Sequence, residues 1–368
     1  MTRVGIAACG IIPFTRDDQS IESVLLESVV DLFEGSDADR GSVDAVLVST
    51  NSNSKYLAPI LSETAGLGPN IAHTVENLCN SGTNAMVSGY SYIASGLADV
   101  VLVSGAERYD SPGQVLEWDR SRGGFKHPIF WASILARSYK RRFSISEEQL
   151  AMVPVKNHRH ARDNPNAMSK KACTIQDVIE SKRVTDDIRL LECSRPCTGS
   201  ASVLLASEDA AKRLSKEPVW IAGIGQKTAS AGFTKSESFS SLESTRIAAD
   251  VALRMAGHAP KDIDVAEVHD AFSVCEPMAL ESMGLCGPGG GAGMVRDMYD
   301  TENRMINPRG GLIGSGHPLG ATGIAQAVEI TQQLRADAGS RQVGGARTGL
   351  VHNMSAAGTS STVLVLER

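Results

Sequence analysis

A ten-residue pattern occurs twice in this chain, and it limits the possible fold more than any other feature. Residues 199–208 read GSASVLLASE and residues 358–367 read GTSSTVLVLE, 159 positions apart with four of ten residues identical. In both, a glycine turn leads into a run apolar enough to form a strand buried on both faces. Two weaker similarities follow in the same order. Residues 20–49 and 245–270 share a helical apolar spacing, a glycine-containing turn and a strand-like run. The Gly/Ala-rich stretch after Cys79 has a counterpart after His317. Three ordered matches predict an internal duplication, with a first half over 1–217 and a second over 218–368.

Elements alternate within the first half. Residues 4–9, 43–48 and 99–104 read as buried strands. Residues 19–34 have the spacing of an amphipathic helix that stops at Gly35, and 80–97 read as a helix of small residues able to pack closely. Strands alternating with helices predict an α/β fold with a largely parallel sheet. Residues 112–195 break the pattern. They are rich in Lys and Arg, hold Trp118 and Trp131, and have weak apolar periodicity. This stretch reads as an inserted loop region with short helices, and its basic character suits a lid over an anionic ligand.

Composition removes several function classes. A 368-residue chain that is 42% hydrophobic can bury a large core. A net charge of −6 without a basic block excludes a non-specific nucleic-acid binder. There is no run of 18 apolar residues to span a membrane. The seven cysteines are scattered at 9, 79, 173, 193, 197, 275 and 286, without an export pattern ahead of them. That usage predicts reduced thiols and a cytoplasmic setting.

Four residues stand at glycine-rich junctions where ligands meet α/β folds. Cys79, in ENLCNSGTNAM, precedes a predicted helix, whose N-terminus favours a thiolate. His269, in AEVHDAF, follows a short strand-like run. His317 lies in the tight turn GSGHPLGATG. His352, in VHNMSAAG, precedes the last glycine turn. A thiolate nucleophile needs a proton acceptor and an oxyanion site, and histidine serves both near neutral pH. Taken singly, each is as readily a structural residue. Other patterns are negative. Cys193 and Cys197 lack a second pair for zinc. His158 and His160 are two apart and diverge on a helix. The run GPGGGAG (287–293) lacks the Lys-Ser/Thr of a phosphate loop and reads as a flexible turn.

Five ordered segments carry a family resemblance: ENLCNSGTNAM with SGLADVVLVSGAE, KNHRHARDNPNA, AEVHDAF, INPRGGLIGSGHPLGATG, and HNMSAAG. On these the chain resembles thiolases, most closely the sterol-carrier-protein-2-type and archaeal-type acetyl-CoA acetyltransferases. The resemblance implies a thiolase-like α/β fold of two βαβαβαββ halves in five layers (α/β/α/β/α), with a loop domain inserted in the first half. It implies that Cys79 accepts the acyl group, His317 activates it, and His269 donates to the enolate oxygen. The amides of Cys79 and Met354 fall at the second oxyanion hole.

One position departs from the family. Ordinary degradative thiolases carry a second cysteine where this chain has His352. Sterol-carrier-type enzymes place one where this chain has Ala271. His352 is therefore the expected substitute for proton transfer. Coenzyme A and acetyl-CoA are implied as substrates, with no permanently bound cofactor and no metal. The implied assembly is a homodimer or homotetramer, joined through edge strands of the first half. Two other functions stay open. One is a C-acyltransferase or lyase on a non-CoA substrate, working with an OB-fold, zinc-ribbon partner. The other is a non-catalytic acyl-CoA or lipid-binding subunit.

Overall fold

The computed structural model of the chain describes residues 3–111, 124–231 and 238–368; Trp118 and the rest of 112–123, at the start of the basic stretch, lie outside the described residues. The first half runs β1 (Val4–Ile11), α1 (Ile21–Glu34), β2 (Ala45–Ser49), α2 (Leu57–Thr64), β3 (Ile71–Val75), α3 (Ser81–Ala94) and β4 (Val100–Glu107). Three helices follow: α4 (Pro128–Phe143), α5 (Glu147–Ala161) and α6 (Ile175–Glu180). The half closes with β5 (Gly199–Ser207) and α7 (Glu208–Leu214). The second half runs β6 (Val219–Thr228), α8 (Glu243–Ala256), β7 (Val265–Glu267), α9 (Cys275–Ser282), α10 (Gly291–Thr301), α11 (Gly311–Ser315), α12 (Leu319–Arg335), β8 (Thr348–Ser355) and β9 (Ser360–Glu367).

The local signals account for the elements. Ser20 caps α1 by accepting from the Ser23 amide; Ile21, Val24, Leu25, Val29 and Leu32 line one buried face, and Gly35 closes the helix. The repeated ten-residue patterns become β5 and β9, and they occupy matching places. In the first half β2 runs parallel to β4, β4 antiparallel to β5, and β5 antiparallel to β1. In the second, β7 runs parallel to β8, β8 antiparallel to β9, and β9 antiparallel to β6. β1 and β6 each carry one bulge. Asp44 accepts from the Asp99 and Val100 amides ahead of β4, and Asp264 accepts from the Arg347 and Thr348 amides ahead of β8.

The halves do not stay separate sheets. Gly5 and Ile6 of β1 pair with Trp220 and Val219 of β6, giving one nine-stranded sheet in the order β3-β2-β4-β5-β1-β6-β9-β8-β7. Each half of it presents a face to a shared core that holds α3 and α12. The opposite faces are covered by α1, α2 and α7 on one side and by α8 and α9 on the other. Helix, sheet, helix, sheet and helix thus form five layers. Small residues permit the central contact. A Cβ on Gly323 would lie 2.7 Å from the Thr83 nitrogen, so only glycine lets α12 approach α3 this closely.

Three details differ from the sequence expectation. The second half lacks a partner to β3 among the described residues: Ile306 forms only a parallel bridge to Ala266, because Asn307 (φ 55°) and Gly310 (φ 105°) turn the chain away at once. The basic stretch contains two long helices, not loops. The buried residues of α5 include Lys156, Asn157, His158 and His160 beside Leu150 and Val153, which erases the apolar period. The glycine run at 287–293 is only partly a turn, since Gly291 begins α10.

Candidate active site

α3 and α12 both start beside the same small cavity. Cys79 sits on a single 3₁₀ turn, Leu78–Asn80, directly ahead of α3. Leu78 is held in a left-handed conformation (φ 49°), and its carbonyl accepts from Asn51 Nδ2 at 2.9 Å. The buried Glu107 carboxylate fixes Asn51 through its amide (2.8 Å) and also accepts from the Gly320 amide in the first turn of α12. His317 stands two residues ahead of α12, anchored by its amide to the Arg195 carbonyl.

The two ends meet. His317 Nε2 lies 3.2 Å from Cys79 Sγ, and its Nδ1 lies 2.8 Å from Thr322 Oγ1. The Thr322 hydroxyl donates to the Pro318 carbonyl, so its oxygen is left to accept from Nδ1–H. That assigns the proton to Nδ1 and leaves Nε2 bare to face the thiol, the arrangement of a nucleophile and its base. His269 completes the group, its ring edge-on to His317 with centroids 5.2 Å apart. Cys79, His269 and His317 all line a cavity of about 220 Å³, with Cys193, Cys275 and Met354 also on its wall.

Electrostatics correct one expectation. Burial pushes the Cys79 thiol up to about 12, and the Glu107 and Glu76 carboxylates add to the rise. The helix N-terminus does not yield a standing thiolate, because desolvation outweighs it. Burial also brings His317 down to about 3, with the Arg309 charge acting the same way. His269 falls well below the ordinary histidine value, chiefly through burial and then through His317 and His352. At rest the pair is a neutral thiol against a neutral imidazole.

The backbone around the sulfur was not legible in advance. The backbone amides of Cys79 itself and, less strongly, of Ala356 favour the charged sulfur and partly oppose the rise. Ala356 and Ala357 are consecutive non-glycine residues at positive φ, 42° and 58°, a costly conformation of the kind found at functional sites. Met354 lines the cavity from β8.

His352 is placed differently from the other three. It lies within β8, fully buried, and is not on the cavity wall. Its Nδ1 accepts from the His269 amide at 3.4 Å, and its Nε2 meets Thr245 Oγ1 at 3.0 Å. With both nitrogens engaged, it braces His269 and does not face a reacting carbon.

The sequence matches the thiolase N-terminal domain over residues 6–186 and the thiolase C-terminal domain-like family over residues 225–368. This chain belongs to the thiolase family. Acetyl-CoA acetyltransferase of Methanothermobacter thermautotrophicus is 35% identical over 370 residues, covering 95% of each chain. Sterol carrier protein 2 of Gallus gallus is 34% identical over 308 residues, which is 77% of this chain and 56% of that protein. Among solved structures, an Ltp2-ChsH2(DUF35) aldolase has a TM-score of 0.88 at 20% identity, covering 99% of this chain and 97% of that one. Human mitochondrial 3-ketoacyl-CoA thiolase in complex with CoA has a TM-score of 0.79 at 18% identity, covering 100% and 98%. At these identities the structures establish the thiolase fold.

Behind the cavity of this thiolase lies a polar network that residue spacing did not reveal. Asp270, next to His269, accepts from the Leu312 amide at 2.6 Å and from Asn157 Nδ2 at 2.7 Å. Asn157 Nδ2 and Asn307 Nδ2 both donate to Glu276, whose other oxygen lies 3.1 Å from Lys156 Nζ. All five side chains are fully buried. Burial and the Glu276 charge bring Asp270 up to about 7. The network ties α5 of the inserted region to the loops that carry His269 and His317. Its signal was the string of polar residues in KNHRHARDN.

Proposed function

We propose that this thiolase forms and cleaves 3-ketoacyl-CoA through an acyl-Cys79 intermediate, with acetoacetyl-CoA and two acetyl-CoA as the simplest pair. The observation that carries this reading is the Cys79–His317 contact of 3.2 Å in a cavity shared with His269. As Cys79 attacks the thioester carbonyl, Nε2 of His317 takes the thiol proton. The amides of Cys79 and Met354 are assigned to the developing oxyanion, with Ala356 on the same wall, and His269 is the donor for the enolate oxygen of the second acyl unit. Such preorganised donors lower a barrier strongly in a dry site.

A second, larger cavity of about 690 Å³ supports coenzyme A as the carrier. Ala357 lines both cavities, and Arg142, Lys227 and Arg246 line the larger one. Three cations on an open groove suit phosphate groups, and Arg142 comes from α4 of the inserted region. Residues 1–217 and 218–368 are assigned as the two halves. Assembly as a homodimer or homotetramer is proposed through the edge strand β3, which lies at the end of the sheet.

The test is thiolysis of acetoacetyl-CoA by free CoA, with wild type and Cys79→Ala side by side. Activity that disappears in the variant supports the reading. Inactivity of the wild type overturns stand-alone acetoacetyl-CoA thiolysis and turns attention to a partner protein or another acceptor.

A further inference from the structure

Carbon–carbon bond formation takes a proton from an α-carbon after Cys79 has already become a thioester, so the sulfur of Cys79 is no longer available for it. His317 Nε2 is aimed at that sulfur. His352 is off the cavity wall with both nitrogens engaged. His127 lines the cavity, but its Nδ1 accepts from the Ile129 amide, which leaves the neutral ring with N–H on the other nitrogen, a donor and not a base. Among the described residues on the wall there is no carboxylate, lysine or tyrosine. With His269 assigned to the enolate oxygen, the titratable groups left on the wall are two thiols, Cys193 and Cys275.

The surroundings separate them. Cys275 opens α9, is fully buried and packs in the apolar core. Cys193 is half-buried and runs alongside the His269 loop: it bridges Phe272 in antiparallel fashion, and the Ser194 amide donates to the Ala271 carbonyl at 2.8 Å. Ala271 itself has no group to titrate. The segment at 193–194 therefore brings a thiol to the cavity beside the residue two places after His269. Among the described residues its Sγ hydrogen-bonds the Arg189 carbonyl alone, at 3.4 Å, a weak contact for a weak donor.

We propose that Cys193 is the second proton-transfer residue of this site, serving the α-carbon while His317 serves the Cys79 sulfur. The assignment rests on the acyl-Cys79 reading above. In cleavage, Cys79 attacks the 3-keto carbon and the bond between α- and β-carbons breaks, leaving the enolate of the departing acyl-CoA. The Cys193 S–H gives its proton to the enolate carbon. The resulting thiolate takes the proton of the incoming CoA thiol, whose sulfur then displaces Cys79 from the acyl group, and the Cys79 sulfur recovers its proton from His317. Condensation runs the same steps backwards. Burial and the Glu192 carboxylate hold the Cys193 thiol up at about 12, so it rests protonated, as an acid for the enolate should.

The experiment reads acylation and α-carbon proton transfer separately. Wild type, Cys193→Ser, Cys193→Ala and Cys275→Ala are mixed with acetyl-CoA in deuterated water. Peptide mass spectrometry reports acetyl-Cys79, and proton NMR reports deuterium entering the acetyl methyl group. The expected result is that both Cys193 variants still form acetyl-Cys79, which also shows that the site is folded, while deuterium exchange falls by about 10²–10⁴-fold. Cys275→Ala should exchange like wild type. Unchanged exchange in Cys193→Ala overturns the inference and leaves acyl-Cys79 intact. Loss in Cys275→Ala alone moves the role to that residue. A wild type that forms no acetyl-Cys79 removes the acyl-enzyme reading itself, and this inference with it.

Discussion

α3 and α12 are the matching central helices of the two halves, and each starts two residues after one member of the reactive pair, Cys79 before Ser81 and His317 before Leu319. The helices differ in their surroundings. Fifteen of the 17 residues of α12 are buried, against seven of 14 in α3, because α12 fills the middle of the molecule between both halves of the sheet. The duplicated scaffold brings two helix starts face to face. It sets a thiol at one against an imidazole at the other without any change of backbone plan. The difference teaches that the halves are equivalent as architecture and complementary as chemistry.

The largest test of that complementarity is kinetic. Cys79→Ala and His317→Ala should each lower thiolysis by about 10³-fold or more, and the double variant should be little worse than either single one, because the two act as a unit. Additive losses would show that the halves contribute independently. Next in size is the support behind His269, to which the two halves contribute different residues, Lys156 and Asn157 from the first and Asp270 and Glu276 from the second. Lys156→Met leaves Glu276 and Asp270 buried together without their cation, and should cost about 3–5 kcal/mol in denaturant unfolding. The contact between the halves is tested by Gly323→Val, whose Cβ meets the Thr83 backbone. It should cost about 1–3 kcal/mol and lower activity as Cys79 and His317 are pushed apart.

Two smaller effects sharpen the equivalence. Asp44→Asn and Asp264→Asn remove the same interaction from each half, so they should lower the melting temperature by equal amounts, of the order of 1–3 °C. Unequal shifts would mean that one half governs unfolding. The pH dependence concerns the buried histidines. His317 and His352 stand at about 3 in the folded chain. An unfolded histidine titrates at about 6.5, so the unfolded chain binds more protons between these values. Their contribution to stability is complete above about pH 6.5 and is lost as pH falls toward 3. Asp270 works the other way: its raised value favours the folded chain at low pH, and that part fades as pH rises through about 7. Unfolding midpoints should therefore fall on acidification from neutral pH, with the histidines dominating. The acylation rate should show no inflection at the ordinary histidine value.

The duplication, the strand–helix alternation and the three residues that share the cavity could be read from the chain because each leaves a local mark. GSASVLLASE and GTSSTVLVLE repeat a pattern, and Cys79, His269 and His317 sit in distinctive junctions. α5 was hidden because buried polar residues replace the apolar period that marks a helix. His352 looked like its neighbours in sequence, yet strand β8 carries it into the core. Ala356 gave no signal, since every residue carries a backbone amide and only the bend of the chain at positive φ brings this one to the site.

The sequence by itself determined which elements form, that they form twice, and which side chains are capable of the chemistry. Those follow from short-range spacing, capping and composition. The tertiary structure alone decided that Cys79 and His317, 238 positions apart, come within 3.2 Å. It also decided that the thiol rises to about 12 and the imidazole falls to about 3. Proton affinity depends on how much water and how many charges surround a group. In this protein those surroundings come from both halves at once.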